Sequence, residues 1–214
     1  MKNALIAFTI LFSIFVTAQN TSAEAKELLD EVSTKVKSYD NISIDFKYVL
    51  HNEEENINQE TRGDVIMQGD KYRLNILGAT RIFDGKTMYS ISPDDEEVTI
   101  SSESPDDENN ITPSKMLSFY EDGYSYKMDI EQNIKGRMIQ YISLTPIDSN
   151  SEISDVLLGI DVQTKHIYNL IEIGKNGTKT TLTVNSFKTN ETLSEALFSF
   201  DEKKYEDYYI NKLD

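Results

Sequence analysis

Cysteine and tryptophan are both missing from the 214 residues, and histidine occurs only twice, at His51 and His166. Without cysteine there is no disulfide framework, no thiol nucleophile and no thiolate metal ligand. There is also no cysteine on which a lipid anchor is built, so stability must come from an apolar core. Neither histidine stands in an H-x-x-x-H or H-E-x-x-H spacing, so a zinc site is not indicated. No G-x-S-x-G, P-loop or dinucleotide fingerprint is present. A serine triad would have to recruit His51 or His166, and nothing in their spacing supports that. Positive charge is scarce, with 21 Lys and Arg against 37 Asp and Glu, a net charge of −16. That balance opposes nucleic-acid and anionic-membrane surfaces, which need clustered cations. The acidic runs at 94–97 and 106–108 lack the spacing of a calcium loop and read as solvated surface. Neither an enzyme nor a cofactor is expected.

Long apolar runs are confined to the N-terminus. Met1-Lys2-Asn3 is a short basic start, residues 4–16 are almost wholly apolar, and Val16-Thr17-Ala18 places small residues where a signal peptidase reads. This predicts a secretory signal peptide over 1–18, cleaved after Ala18, and a single domain over 19–214 released into a periplasm-like space. The apolar run is too short for a membrane span of about 20 residues.

Helical spacing then gives way to alternation. Thr21-Ser22-Ala23-Glu24 has the form of a capping box, and Leu28, Leu29, Val32 and Val36 follow on one helical face. Ile42, Ile44, Phe46, Tyr48 and Leu50 repeat every second residue, as in a half-buried strand. The polar stretch 51–59 reads as a loop. Further strands are predicted at 63–68, 71–77, 80–83, 87–92, 98–101, 124–131, 137–145, 157–163, 167–173 and 178–187, with a short one at 197–200. Asp84-Gly85 and Asn176-Gly177 read as tight hairpin turns, Asp84-Gly85 as a two-residue type I′ turn. Thr112-Pro113 opens a second short helix with Met116, Leu117 and Tyr120 on its apolar face and Gly123 as its cap. Residues 102–110 are expected to be an acidic loop, and 201–214 resist placement. The pattern is mainly β: about ten antiparallel strands in a barrel or strongly curved sheet, with the helices covering its concave face.

A set of short motifs then falls in a recognisable order. It runs Gly63-Asp64, Lys71-Tyr72-Arg73-Leu74, Asp84-Gly85-Lys86-Thr87-Met88-Tyr89, Ser92-Pro93 and Thr112-Pro113. It continues with Leu144-Thr145-Pro146, Ile160-Asp161 and Phe198-Ser199-Phe200. In this order and spacing the chain resembles the LolA family, the periplasmic carriers of outer-membrane lipoproteins. The resemblance implies a half-open β-barrel closed by a lid of two or three helices. It also implies a monomeric carrier that takes acylated lipoproteins from an inner-membrane transporter to an outer-membrane acceptor. The alternative is a LolA-like binding protein for another lipid or glycolipid.

The physics fits such a role, because each CH₂ leaving an apolar phase for water costs about 0.8 kcal/mol. Acyl chains therefore need an apolar escort through an aqueous space. By alternation, the cavity lining expected from the resemblance is Ile42, Ile44, Phe46, Tyr48, Val65, Met67, Tyr72, Leu74 and Ile76 on the first strands. Tyr126, Met128, Ile142, Leu144, Leu158, Ile160, Ile171 and Leu182 complete it. Leu28, Val32, Val36, Met116, Leu117 and Tyr120 would form the lid. One departure stands out: the best-studied branch of the family has a lid-contacting arginine shortly after Gly-Asp. Here that stretch reads Val65-Ile66-Met67-Gln68-Gly69-Asp70.

Overall fold

The computed structural model describes residues 4–102, 113 and 117–213, with side chains from residue 21 onward. The protein is mainly β, with 56% of residues in strands. Its elements are helix α1 (Ala4–Lys37) and strands β1 (Ile42–Asn52), β2 (Ile57–Gln68), β3 (Lys71–Ile76), β4 (Ala79–Phe83), β5 (Thr87–Ser92) and β6 (Glu97–Ser102). Then come β7 (Tyr124–Ile134), β8 (Arg137–Pro146), β9 (Ile153–Asp161), β10 (Ile167–Gly174), β11 (Lys179–Thr189) and β12 (Tyr209–Leu213). Twelve strands thus replace the expected ten or so, and α1 is the one α-helix among the described residues. The expected lid of two or three helices is not matched. Of the second helix, residues 112 and 114–116, Met116 among them, lie outside the described residues. Further along the chain, Phe119–Glu121 forms a single 3₁₀ turn with Tyr120 buried.

The chain divides into two compact units, one of Met1–Val36 with Tyr120–Lys179 and one of Lys37–Phe119 with Thr180–Asp214. In the first, β10, β9, β8 and β7 pair in that order as an antiparallel meander. Helix α1 buries Leu28, Leu29 and Val32, as their helical spacing predicts, together with Ala25 one turn earlier, and leaves Val36 half-buried. Its outer side is fixed by polar contacts. Glu31 pairs with Lys165 of the β9–β10 turn at 2.6 Å, and Ser33 donates to Glu121 at 2.6 Å. The helix does not start at the Thr21 cap. It runs on from Ala4, because the preceding apolar residues continue the helix and their carbonyls supply the partners that a cap would otherwise replace.

The second unit carries eight strands in the order β12-β6-β5-β4-β3-β2-β1-β11. The stretch expected to be a loop at 51–59 is instead the end of a long hairpin. β1 and β2 pair continuously from Ile42↔Met67 to Asn52↔Ile57. Buried Asn52 accepts from the Glu55 amide at 3.0 Å to hold the tight turn, and Lys47 reaches Glu60 at 3.3 Å across the strands. The Asn52 turn bond and the continuous backbone ladder, rather than apolar alternation, carry the hairpin through this stretch. The β4–β5 turn also differs in detail. Asp84 and Thr87 close it, and the central pair is Gly85-Lys86, with φ of +99° at Gly85 only. This is the glycine-first pattern of a type II′ turn, not an Asp-Gly type I′ turn.

The C-terminal segment finds a definite place. The strand expected at 197–200 is a 3₁₀ turn, Glu195–Phe198, capped by Ser194. A second 3₁₀ turn at Glu202–Tyr205 comes next, and β12 then pairs in parallel with β6. Tyr89, Phe200 and Tyr205 stack with centroids 4.8 and 5.3 Å apart, and Tyr208 meets Tyr205 edge-on at 5.2 Å. This aromatic stack covers the buried cluster Ile82, Ile91 and Val98.

Candidate functional site

Strand register decides which side chains share a face, because directly paired residues point the same way. In the eight-stranded unit one row runs Ile42, Met67, Tyr72, Phe83, Met88 across β1 to β5. All five are buried, and the Tyr72 hydroxyl lies 3.7 Å from the Met88 sulfur. The next row runs Ile44, Val65, Leu74, then Arg81 and Ser90. Phe46 pairs with Gly63 and Tyr48 with Thr61. The register therefore places Ile42, Ile44, Phe46, Tyr48, Val65, Met67, Tyr72, Leu74 and Ile76 on one face of that unit. Phe83 and Met88 join them. The sequence offered a signal for both in the β3–β4 and β4–β5 turns, once the turn lengths are known.

Gly63 has a specific task there. A Cβ at that position would stand 2.6 Å from the Phe46 ring and 2.6 Å from the Asn75 carbonyl oxygen. The missing side chain lets the Phe46 ring approach the backbone of β2 at Gly63.

In the four-stranded unit the rows are Tyr126, Leu144, Val156 and Met128, Ile142, Leu158, Leu170. Ile160 pairs with Ile167. Ile142, Leu144, Leu158 and Ile160 are fully buried, while Tyr126 and Met128 are half-buried. Ile171 does not join this face. A register shift between Ile167 and Asn169 puts Leu170 opposite Leu158 and Ile171 opposite Leu157. A bulge inverts the alternation beyond it, and alternation alone does not reveal it. Glu172 pairs with Val156, on the apolar face, and burial pushes its carboxyl up from the ordinary glutamate value. Leu182 is half-buried in β11, and Leu117 is half-buried ahead of the 3₁₀ turn.

A cleft of about 660 Å³ lies in the eight-stranded unit, and its walls are mixed, with charged and polar side chains beside Phe46, Ile76, Leu77 and Ala79. Asp45, Lys47, Arg62, Asp64, Asn75 and Thr80 line it beside the Leu77-Gly78 turn. Thr80 donates to Asn75 at 2.7 Å, and Asn75 donates to Asp64 at 2.8 Å, tying β2, β3 and β4 together on the face opposite Leu74. Of the expected lining residues only Phe46 and Ile76 reach this cleft.

His51 is exposed on β1, and His166 lies in the β9–β10 turn. Burial lowers the His166 pKa, and Lys35 lowers it further. Among the described residues no cluster of three metal-ligating side chains occurs. Beside His166, Asp161 organises its turn. It accepts from the Gln163 and Thr164 amides at 3.0 and 2.9 Å and from Arg137 Nε at 2.7 Å. The Arg137 guanidinium also lies over the Tyr168 ring, 5.1 Å from its centroid. Burial pushes the Asp161 carboxyl up, but these donors outweigh it and hold the group below the ordinary aspartate range. The Ile160-Asp161 motif is thus a buried strand end followed by a turn cap.

The family model described as outer membrane lipoprotein carrier protein LolA matches residues 37–201. This chain belongs to the LolA family. No sequence among the curated proteins matches it. Among solved structures, an uncharacterized conserved protein from Thermus thermophilus is similar with a TM-score of 0.55 at 13% identity, covering 88% of this chain and 98% of that one. LprF from Mycobacterium bovis gives a TM-score of 0.50 at 14% identity, covering 81% and 97%. A putative outer membrane lipoprotein-sorting protein domain from Vibrio parahaemolyticus gives 0.46 at 11%, covering 86% and 99%. At these identities the first two likenesses speak for the LolA-like fold alone.

Proposed function

We propose that this LolA-family chain is an exported carrier that holds the acyl chains of lipoproteins against an apolar sheet face and shuttles them from the inner to the outer membrane. The observation that carries this reading is the face built by Ile42, Ile44, Val65, Met67, Tyr72 and Leu74. It is continuous across three strands and set by register rather than by loops. Its methionines, Met67 and Met88, suit chains of varied shape because thioether side chains repack at low cost. Ile142, Leu144, Leu158 and Ile160 provide a second apolar face in the four-stranded unit.

On this reading the leader is removed after Ala18, residues 19–214 work as one carrier domain in the periplasm, and no bond of the cargo is broken. The partners are an inner-membrane lipoprotein-releasing transporter and an outer-membrane acceptor. A second reading, a free lipid or glycolipid as cargo, is favoured by the stretch 65–70, which lacks the family's lid arginine.

Leu74→Asp tests the face directly. Leu74 is only half-buried, so the variant should fold, while an unpaired charge on the apolar row should abolish acyl-chain binding. Phe46→Asp should do the same but strikes a buried ring and will cost stability as well. A folded Leu74→Asp protein that binds acyl chains normally would mean that this face is not the site.

A further inference from the structure

Every other position on the apolar face of β1 to β5 is apolar or uncharged, and Arg81 is the single charged residue there. It pairs with Leu74 on one side and Ser90 on the other, and Ala79 and Phe83 flank it on its own strand. The chain's other arginines in this unit are elsewhere: Arg73 pairs with Ile66 and Ile82, and Arg62 with Lys47, both on the opposite face. In a chain of net charge −16, Arg81 nonetheless makes no hydrogen bond or ion pair among the described residues. The Ser90 hydroxyl is likewise unengaged there.

The row also changes character along its length. Arg81 is exposed, Leu74 is half-buried, and Val65 and Ile44 are buried. Three strand spacings separate Arg81 from Ile44, about 14 Å in all. One end of the row is a free cation with a hydroxyl beside it, and the other end is aliphatic and withdrawn from water.

We propose that Arg81 and Ser90 form a headgroup subsite for an anionic amphiphile, one oxyanion head on the guanidinium and its chain along Leu74, Val65 and Ile44. A planar guanidinium matches phosphate or carboxylate with two parallel hydrogen bonds, and a neighbouring hydroxyl adds a third donor. Arg81 is exposed, so its charge is solvated in the free protein and remains available to a ligand's oxyanion. The proposal rests on the acyl-binding reading of this face and adds the charge of the cargo's head to it.

The test is a titration of the mature protein with dodecyl phosphate, dodecanoate and neutral monododecanoylglycerol, all below their aggregation concentrations, and with inorganic phosphate. The two anionic amphiphiles should bind about tenfold more tightly than the neutral one. Arg81→Gln should remove that advantage and leave the neutral ligand's affinity unchanged, with Arg81→Lys retaining part of it and Ser90→Ala losing a smaller part. If Arg81→Gln binds dodecyl phosphate as wild type does, the headgroup subsite is wrong while the acyl face stands. If inorganic phosphate binds as tightly as dodecyl phosphate, the site takes a free anion and not an amphiphile. If none of the three chains binds, the acyl-carrier reading itself fails and the subsite falls with it.

Discussion

Gly63, Leu77 and Asp161 each carry a physical demand that a point substitution exposes. Gly63→Ala would drive a methyl group to 2.6 Å from both the Phe46 ring and the Asn75 carbonyl. The backbone oxygen has no room to move, so we expect about 2 kcal/mol of destabilisation in urea unfolding. Leu77 and Gly78 both have positive φ, +53° and +79°, as a type I′ turn requires. A leucine held there costs roughly 1 kcal/mol, and at 69% exposure it gains little packing in return. Leu77→Asn should therefore raise the melting temperature by about 3 °C, and a lower one would refute the strain. Asp161 is held below the ordinary aspartate range, so its contribution is fully present above the unfolded-state pKa. It is lost as pH falls through the lowered folded value. Asp161→Ala should cost about 2 kcal/mol near neutrality and progressively less on acidification, read from urea midpoints between neutral and acid pH.

The C-terminal segment shows at the level of elements what composition hides. Residues 201–214 are charged and tyrosine-rich and carry no strand alternation, yet the aromatic stack on Ile82, Ile91 and Val98 gives 201–213 a fixed place. Phe200 lies between Tyr89 and Tyr205, so Phe200→Ala should cost about 3 kcal/mol and expose the cluster to a hydrophobic dye. Unchanged stability would mean that the segment merely rests on the sheet. Elements held by one buried face were legible in the sequence, and elements held by other means were not. The stripe Leu28, Leu29, Val32 and the alternation of β1 were readable, because burial on one face imposes a period. The β1–β2 extension was not, since the Asn52 turn bond and the backbone ladder hold it and leave no apolar period. Ile171 was misplaced by a bulge that alternation cannot register, and β12 depends on a parallel pairing with a strand more than a hundred residues earlier.

At the scale of the molecule, the family was legible because short motifs sit at structural corners. Gly63 admits the Phe46 ring, Asp84-Gly85-Lys86-Thr87 builds the β4–β5 turn, and Asp161 caps the β9–β10 turn. These constraints belong to the fold. The cargo leaves its mark on the apolar face, where many residues satisfy the same need and only their shared register identifies them. Everything proposed about function depends on this face carrying acyl chains. Mass spectrometry of what co-purifies with the mature protein from its own periplasm puts that to the test. An acylated protein is expected, and a free lipid would shift the assignment to the second reading. A protein that emerges empty and takes up no acyl chain when one is offered would overturn the carrier role.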